Sequence, residues 1–540
     1  MKLKHQAFVL LSFFLFLLSC QPATDQSPKK VLVINIRGAS YTHVKAYAEQ
    51  APKGFLAKML KDGHISTLEP VTNAVTATNW ASFETGVNPG RHGIIGHQFG
   101  SWRQNKLSMA SGFGQRFEVP SFLETADSAG KKVVNIGSLL LHGAHTTHRQ
   151  LKNIAQGRAL TSPRWLPLDQ EPIEFEVYNG QVIYIAPADN GYLIDLDKDS
   201  ENGNLGLIQH GEWLEVPLDS LNGLQTATRL KLMRSNGKEG LFIRSVFVNR
   251  GYPSSFLQNL EAQHGAATGW PSLGQYFSGL IDAETIREEI EAEIDYLLGI
   301  VHQQLSFGQE DLIVTDYPLI DRYGHIFGLH MADSLAQQAF ARLDEDLEDL
   351  TVTAQGQGYK VLIQSGHGFA SLHSQFNLNR HIDERFGTDS GILAIPGKVS
   401  AQLYLSPDTQ PELLNSLRQW LMSLKDLETD DIIVDQVWGK PAQVAAGIDH
   451  SNAGDLFVLL KPGYVFTATP NSSAPVFSKP LFKGDHGYSA HHTGNEGVLI
   501  HPRLKIQGNS VSILDLAPTI LDYLKIQTVH ELEGNSLLTQ

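Results

Sequence analysis

Val75-Thr-Ala-Thr-Asn-Trp-Ala-Ser-Phe-Glu-Thr-Gly-Val-Asn-Pro-Gly-Arg-His-Gly-Ile-Ile-Gly96 is the stretch on which the reading of this chain turns. Two hydroxyls and an amide, Thr76, Thr78 and Asn79, stand at its start, before a run compatible with a helix. Asn88-Pro-Gly-Arg-His-Gly93 closes it, because proline and glycine break a helix there. A hydroxyl at the mouth of a helix has two uses. It can cap the helix by accepting an orphan backbone N–H. It can also act as a nucleophile, since those same free N–H groups favour an incoming anion. The stretch alone does not choose between them, and the residues around it must.

Upstream, Lys30-Val-Leu-Val-Ile-Asn-Ile36 is a continuous apolar run, the type buried on both faces of a parallel sheet. The segment 52–62 reads as a helix, and Lys132-Val-Val-Asn-Ile-Gly137 as another buried strand. This βαβ rhythm predicts an α/β domain with a mostly parallel central sheet flanked by helices. It stops near residue 150. Between about 174 and 249 the pattern is short alternating segments separated by Gly, Asn and Asp turns, which predicts a β-rich insertion spanning 150–275. Its aromatics Trp165, Tyr178, Tyr184 and Trp213 either line a pocket or pack in a core. The helical rhythm resumes at 282–304, where Ile286, Ile290, Ile294, Leu297 and Val301 share a face. Strands follow at 311–317 and 359–365, with a helix between them over 331–350. Further strands are expected at 392–395, 402–405, 456–460 and 497–500.

Composition sets limits on function. The chain has 540 residues, 42% hydrophobic and 18% charged, which is ordinary for a globular protein. Its net charge is −15, from 57 acidic and 42 basic residues, and it has no long Lys/Arg run, which argues against nucleic acid as a partner. A protein this acidic that handles phosphates must concentrate positive charge locally, through Arg, Lys or a metal.

The N-terminus reads as a targeting segment: Met1-Lys-Leu-Lys-His supplies charge, and the apolar run 8–18 is short for a bilayer span. Leu17-Leu-Ser-Cys20 resembles the lipobox of a bacterial lipoprotein, with residues 1–20 as signal peptide and 21–29 as a polar tether. Cys20 is the only cysteine, so the mature protein is expected to have no internal disulfide and no thiolate metal site. Gln21 after it resembles lipoproteins sorted to the outer membrane, which predicts a lipid-anchored protein of the cell envelope facing the periplasm.

Three post-strand loops hold a histidine beside glycine: Asp321-Arg-Tyr-Gly-His325, Gly366-His367-Gly368 and Asp485-His486-Gly487. Sites in open α/β sheets are built at the carboxyl ends of strands. One carboxylate with two imidazoles suits Zn²⁺, and a catalytic zinc keeps three protein ligands and an open position. Asp321 and His325, four apart around a glycine, are expected to converge on one ion with His486 as third ligand.

Together these residues resemble the alkaline phosphatase superfamily, and within it the nucleotide pyrophosphatase/phosphodiesterase branch. The resemblance covers nearly all of residues 30–540, with 150–275 in the place of that branch's variable insertion. Thr76-Ala-Thr-Asn79 looks like the nucleophile motif, residues 85–94 match the stretch after it, and Asp515-Leu-Ala-Pro-Thr-Ile-Leu resembles the closing helix. The resemblance implies a metal-dependent phosphoryl-transfer hydrolase with Thr76 as nucleophile, Asn79 as oxyanion donor, and Asp321, His325 and His486 on a first zinc. It implies a second zinc held by an Asp ending the first strand, the nucleophile, and the Asp and His of an Asp-His-Gly motif. Here the sequence departs: Arg37 stands in the first position, and the motif reads Gly366-His367-Gly368, keeping only His367.

The departure suggests substitution rather than loss. Arg has five donors and no acceptor, so it cannot ligate a metal, but it binds phosphate bidentately. The expectation is one zinc, with Arg37 in the second-metal position facing the substrate phosphate and Gly366 leaving room for the guanidinium. His367, freed from metal duty, is available as a base. The substrate is read as a phosphate ester on a small molecule, lipid or glycan. Two other readings stay open: a lipoprotein that binds a phosphorylated or sulfated ligand without turnover, and a phospho-group transferase.

Overall fold

The computed structural model describes residues 29–103, 106–138, 151–197, 204–406, 411–467, 474–502, 510–528 and 530–538. Cys20 and all of the expected tether except Lys29 lie outside them. Among the described residues no helix is long and apolar enough to cross a membrane.

The first strand, β1 (Lys30–Asn35), lies at the middle of the sheet. On one side it pairs in parallel with β2 (Leu312–Asp316), and on the other with β3 (Tyr359–Ser365). Val133–Ser138 and Leu151–Ala159 continue the parallel part beyond β2. Gly497–Ile500 is antiparallel to β3, and Ile65–Glu69 and Ser510–Ser512 complete that edge. The protein is thus an α/β fold with a large mixed central sheet, parallel through its middle and antiparallel beyond Leu151–Ala159 and at Gly497–Ile500, flanked by helices. The strands are apolar on both faces because a separate core packs on each: Leu32, Ile34 and Ile36 face one, Val31 and Val33 the other.

Residues 151–252 are dominated by strands, but not as one separate cap. Phe247–Tyr252, Leu224–Ser235, Lys238–Ile243 and Arg164–Pro167 extend the central sheet antiparallel from Leu151–Ala159, while Ile173–Tyr178, Gln181–Ala188, Gly191–Asp195 and Asn204–Ile208 form their own meander. The aromatics split accordingly: Trp165 and Trp213 pack against the main core, Tyr178 packs against the meander's core, and Tyr184 borders a groove of about 340 Å³ with Glu174 and Asp195. A further antiparallel sheet, Ile392–Gly397, Ser400–Leu405, Leu456–Leu460 and Val434–Gly439, has its own core. Its first hairpin turns at Lys398 and Val399, with Lys398 at φ +74°.

Helix boundaries differ from expectation mainly by a few residues at each end. The expected 282–304 helix is Ala283–Phe307, with Asp282 as its N-cap, accepting from the Thr285 N–H. One difference matters more. The segment after β2, expected as a loop, is the helix α2 (Leu319–Ile326), every residue of which is buried. Asp321 and His325 therefore share a helix face one turn apart, rather than converging around a glycine turn.

Candidate active site

The decisive stretch folds as the helix α1 (Thr76–Thr85), buried along its whole length and ended by Gly86 at φ +66°. Its cap position is Val75, which has no side chain to donate or accept, so the open N–H groups of the first turn are left to whatever lies in front of them. Thr76 is the first helical residue and not the cap. Its Oγ1 lies 3.4 Å from His486 Nε2. Asn79, one turn on, accepts from the Val71 N–H through Oδ1, which turns its amide Nδ2 the other way, towards Gly366.

Asp321, His325 and His486 are brought together, all buried, with ligand atoms within 4.8 Å of one another. Asp321 Oδ1 is 3.6 Å from both His325 Nε2 and His486 Nε2. Tetrahedral zinc bonds of about 2.0–2.1 Å put neighbouring ligand atoms about 3.4 Å apart, so the spacing suits one ion. Asp321 Oδ1 is also a buried oxygen without a hydrogen-bond partner, a position that a cation satisfies. His325 Nδ1 lies 3.0 Å from the Gly484 carbonyl, and donating to it leaves Nε2 as the bare acceptor facing the triad. Burial, and then the positive charge of Lys398, keep His325 below its usual range and hence neutral. Burial alone would raise Asp321, but Arg37, His325, Arg322 and Lys398 outweigh it and hold the carboxyl well below the carboxylate range.

The position expected for a second metal is occupied differently. Arg37 donates through Nε and Nη2 to Asp316, each at 2.9 Å, and through Nη1 to Asp321 Oδ2 at 3.0 Å. Burial works against the guanidinium's charge, but the two carboxylates outweigh it and keep Arg37 protonated. Burial pushes Asp316 up to about 6 against the pull of Arg37, which leaves it ionised at neutral pH. Arg322 extends the network, bridging Asp321 Oδ2 and Glu293. The free positive charge anticipated at Arg37 is therefore offset by two acids. The room at Gly366 also has another tenant: a Cβ there would lie 1.9 Å from Asn79 Nδ2, so the missing side chain makes space for the Asn79 amide and not for the guanidinium. Arg37 offers only donors and Gly366 no carboxylate, so neither adds a ligand to those of Asp321, His325 and His486.

Arg37, Thr76, Asn79, Gly366 and His367 line one cavity of about 10 Å³, room for a single water. His367 stacks on His486 with ring centroids 3.8 Å apart. Its Nδ1 lies 3.1 Å from the Gly368 carbonyl, and its buried Nε2 has no partner. Burial lowers it to about 4, so the ring is neutral with Nε2 as acceptor.

Four residues at the site were not anticipated from sequence. Asp316 ends the strand beside β1, in register with Asn35, a pairing that neither strand's sequence shows by itself. His97 directly follows the decisive stretch, and its buried Nε2 is unpartnered. Asp485 precedes His486 and accepts from its N–H at 2.9 Å. Lys398 comes from the hairpin described above, and no local pattern marks it.

Solved structures with this fold include phosphonoacetate hydrolase from Sinorhizobium meliloti in complex with phosphonoacetate: 13% identity, TM-score 0.54, 92% of this chain and 96% of that one covered. They also include murine ectonucleotide pyrophosphatase/phosphodiesterase 5, as an inactive Thr-to-Ala variant in complex with AMP: 12% identity, TM-score 0.52, 94% of this chain and 97% of that one covered. A search of curated proteins by sequence finds no match. The fold is the alkaline-phosphatase-like one that these structures share. Residues 31–489 match the family described as type I phosphodiesterase / nucleotide pyrophosphatase, and the chain belongs to that family.

Proposed function

We propose that this enzyme hydrolyses a phosphate ester with Thr76 as nucleophile and one divalent ion, zinc in the first instance, at Asp321, His325 and His486. The observation that carries the reading is the position of Thr76 Oγ1, at an uncapped helix start and 3.4 Å from the triad's His486. The inactivity of the Thr-to-Ala variant of the murine relative supports it at the level of the fold. A bound ion supplies Lewis-acid polarisation of a phosphoryl oxygen.

The chain's own groups do the rest. Thr76 Oγ1 forms a bond to phosphorus while the bond to the leaving oxygen breaks, that oxygen taking the electron pair. His367 Nε2, bare and in the same cavity, receives the Thr76 proton and returns it to the leaving oxygen. Asn79 Nδ2 and the first-turn N–H groups of α1 donate to the non-bridging oxygens. Arg37 orients Asp321 through Nη1; a water oxygen then forms a bond to phosphorus as the bond from phosphorus to Thr76 Oγ1 breaks, and the water's proton passes to Oγ1.

Turnover of a chromogenic phosphodiester tests the reading. Thr76→Ala is expected to lower it by more than about a thousandfold, and chelator to abolish it reversibly. A Thr76→Ala variant at the wild-type rate overturns the nucleophile, and two tightly bound zinc ions per chain overturn the single site. The physiological ester, on a lipid, glycan or small molecule, belongs to the same proposal, as does lipidation at Cys20. Cys20→Ala is expected to move the protein from the membrane to the soluble fraction, and retention in the membrane overturns the anchor.

A further inference from the structure

The hairpin turn at Lys398 aims a primary amine into the triad. Its Nζ lies 3.2 Å from His325 Nε2, 3.4 Å from His486 Nε2 and 3.1 Å from Asp485 Oδ1. An ammonium has three N–H donors and no acceptor. Here three acceptors meet it, so the group is satisfied without water or substrate. Two of them are the nitrogen lone pairs that the metal reading assigns to the ion.

An imidazole nitrogen has a single in-plane lone pair, which can accept a proton donor or bind a metal but not both. His325 cannot escape the conflict by switching nitrogens, because its Nδ1 is held at the Gly484 carbonyl. The like charges of an ammonium and a dication a few ångströms apart add to the exclusion. Nζ stands 3.2 and 3.4 Å from the two imidazoles and Asp321 Oδ1 stands 3.6 Å from each, so both groups converge on the same pair of ligand atoms.

We propose that Lys398 is a resident cation of this site, an alternative occupant of the His325 and His486 lone pairs that a divalent ion must displace in order to bind. Its side chain is 29% exposed, against 4% for Arg37, so it has solvent to swing into. Displaced, the ammonium stands at the entrance as a free positive charge beside the ion. Arg37, locked between two carboxylates, cannot do this. The inference rests on the reading of the triad as a metal site.

Zinc affinity, measured by competition with a chromogenic chelator on the folded full-length protein, tests it. The comparison is among wild type, Lys398→Met, Lys398→Ala and Asp321→Asn. Both Lys398 variants are expected to bind one zinc at least tenfold more tightly than wild type, and Asp321→Asn to lose binding. Zinc binding seen only after Lys398 is replaced supports the proposal most strongly. Equal affinity in wild type and both Lys398 variants overturns it while leaving the triad reading intact. Weaker binding in the Lys398 variants also overturns it, since Lys398 then assists the metal. No zinc binding in wild type or either Lys398 variant overturns the triad reading and this inference together.

Discussion

Two positions in one site are each met by a cationic side chain, and they are built to opposite rules. At the position expected for a second metal Arg37 is buried and makes paired hydrogen bonds to Asp316 and a third to Asp321. At the first, Lys398 is partly exposed and rests on two neutral imidazoles and one carboxylate, while Asp321 Oδ1 beside it stays bare. The first arrangement, at Arg37, offers a metal only the arginine's donors, which cannot ligate one. The second keeps every ligand atom and puts a removable occupant over two of them. A fixed cation thus serves structure and a movable one leaves the site open to chemistry.

The largest effect that separates the two is on stability. Arg37→Ala leaves buried Asp316 without its ion-pair partner and Asp321 with Arg322, and is expected to cost about 3–5 kcal/mol in denaturant unfolding. Adding Asp316→Asn should recover part of that loss, because it removes the unpaired charge. If Arg37→Ala is no less stable than wild type, the contrast fails. Gly366→Ala comes next: its methyl meets the Asn79 amide, and about 1–3 kcal/mol of overpacking strain is expected, together with reduced turnover from a displaced Asn79. Unchanged stability and turnover would mean that Asn79 does not need the space. The smallest effect is at Lys398→Ala, expected below about 1 kcal/mol because its ion pair is partly solvated. A loss as large as that of Arg37→Ala would make Lys398 a structural cation like its neighbour.

Much of this was legible because its signals are local. The apolar runs at 30–36 and 311–317 read as buried strands from composition alone, and they are β1 and β2. The triad was legible because each ligand sits next to a strand end within a glycine-marked segment. What could not be read is register and reach. Arg37 appears in sequence as an uncompensated charge. Its partner Asp316 becomes visible only when β1 and β2 are aligned, which brings together residues 279 apart. Gly366 read as a vacancy because sequence does not show that the Asn79 amide fills it. The helix α2 was missed because it is only eight residues long and holds Gly324 behind Pro318, both loop signals, although Leu319, Ile320, Tyr323 and Ile326 fall on one helical face. Lys398 lies in a hairpin of another sheet, 73 residues from His325 and 88 from His486.

The Arg37–Asp321 contact also dates the birth of the site. Its partners are 284 residues apart in the chain. At roughly 5–20 residues per second, about 15–55 s of synthesis separate the arginine from the aspartate that will hold it. Through that interval the middle strand of the sheet has its charged end but neither of the strands that flank it. β1 therefore gains both of its neighbours only when two-thirds of the chain exists, the far edge of the sheet waits for residues 497–512, and a protein cut before Asp316 carries an arginine with neither of its carboxylate partners.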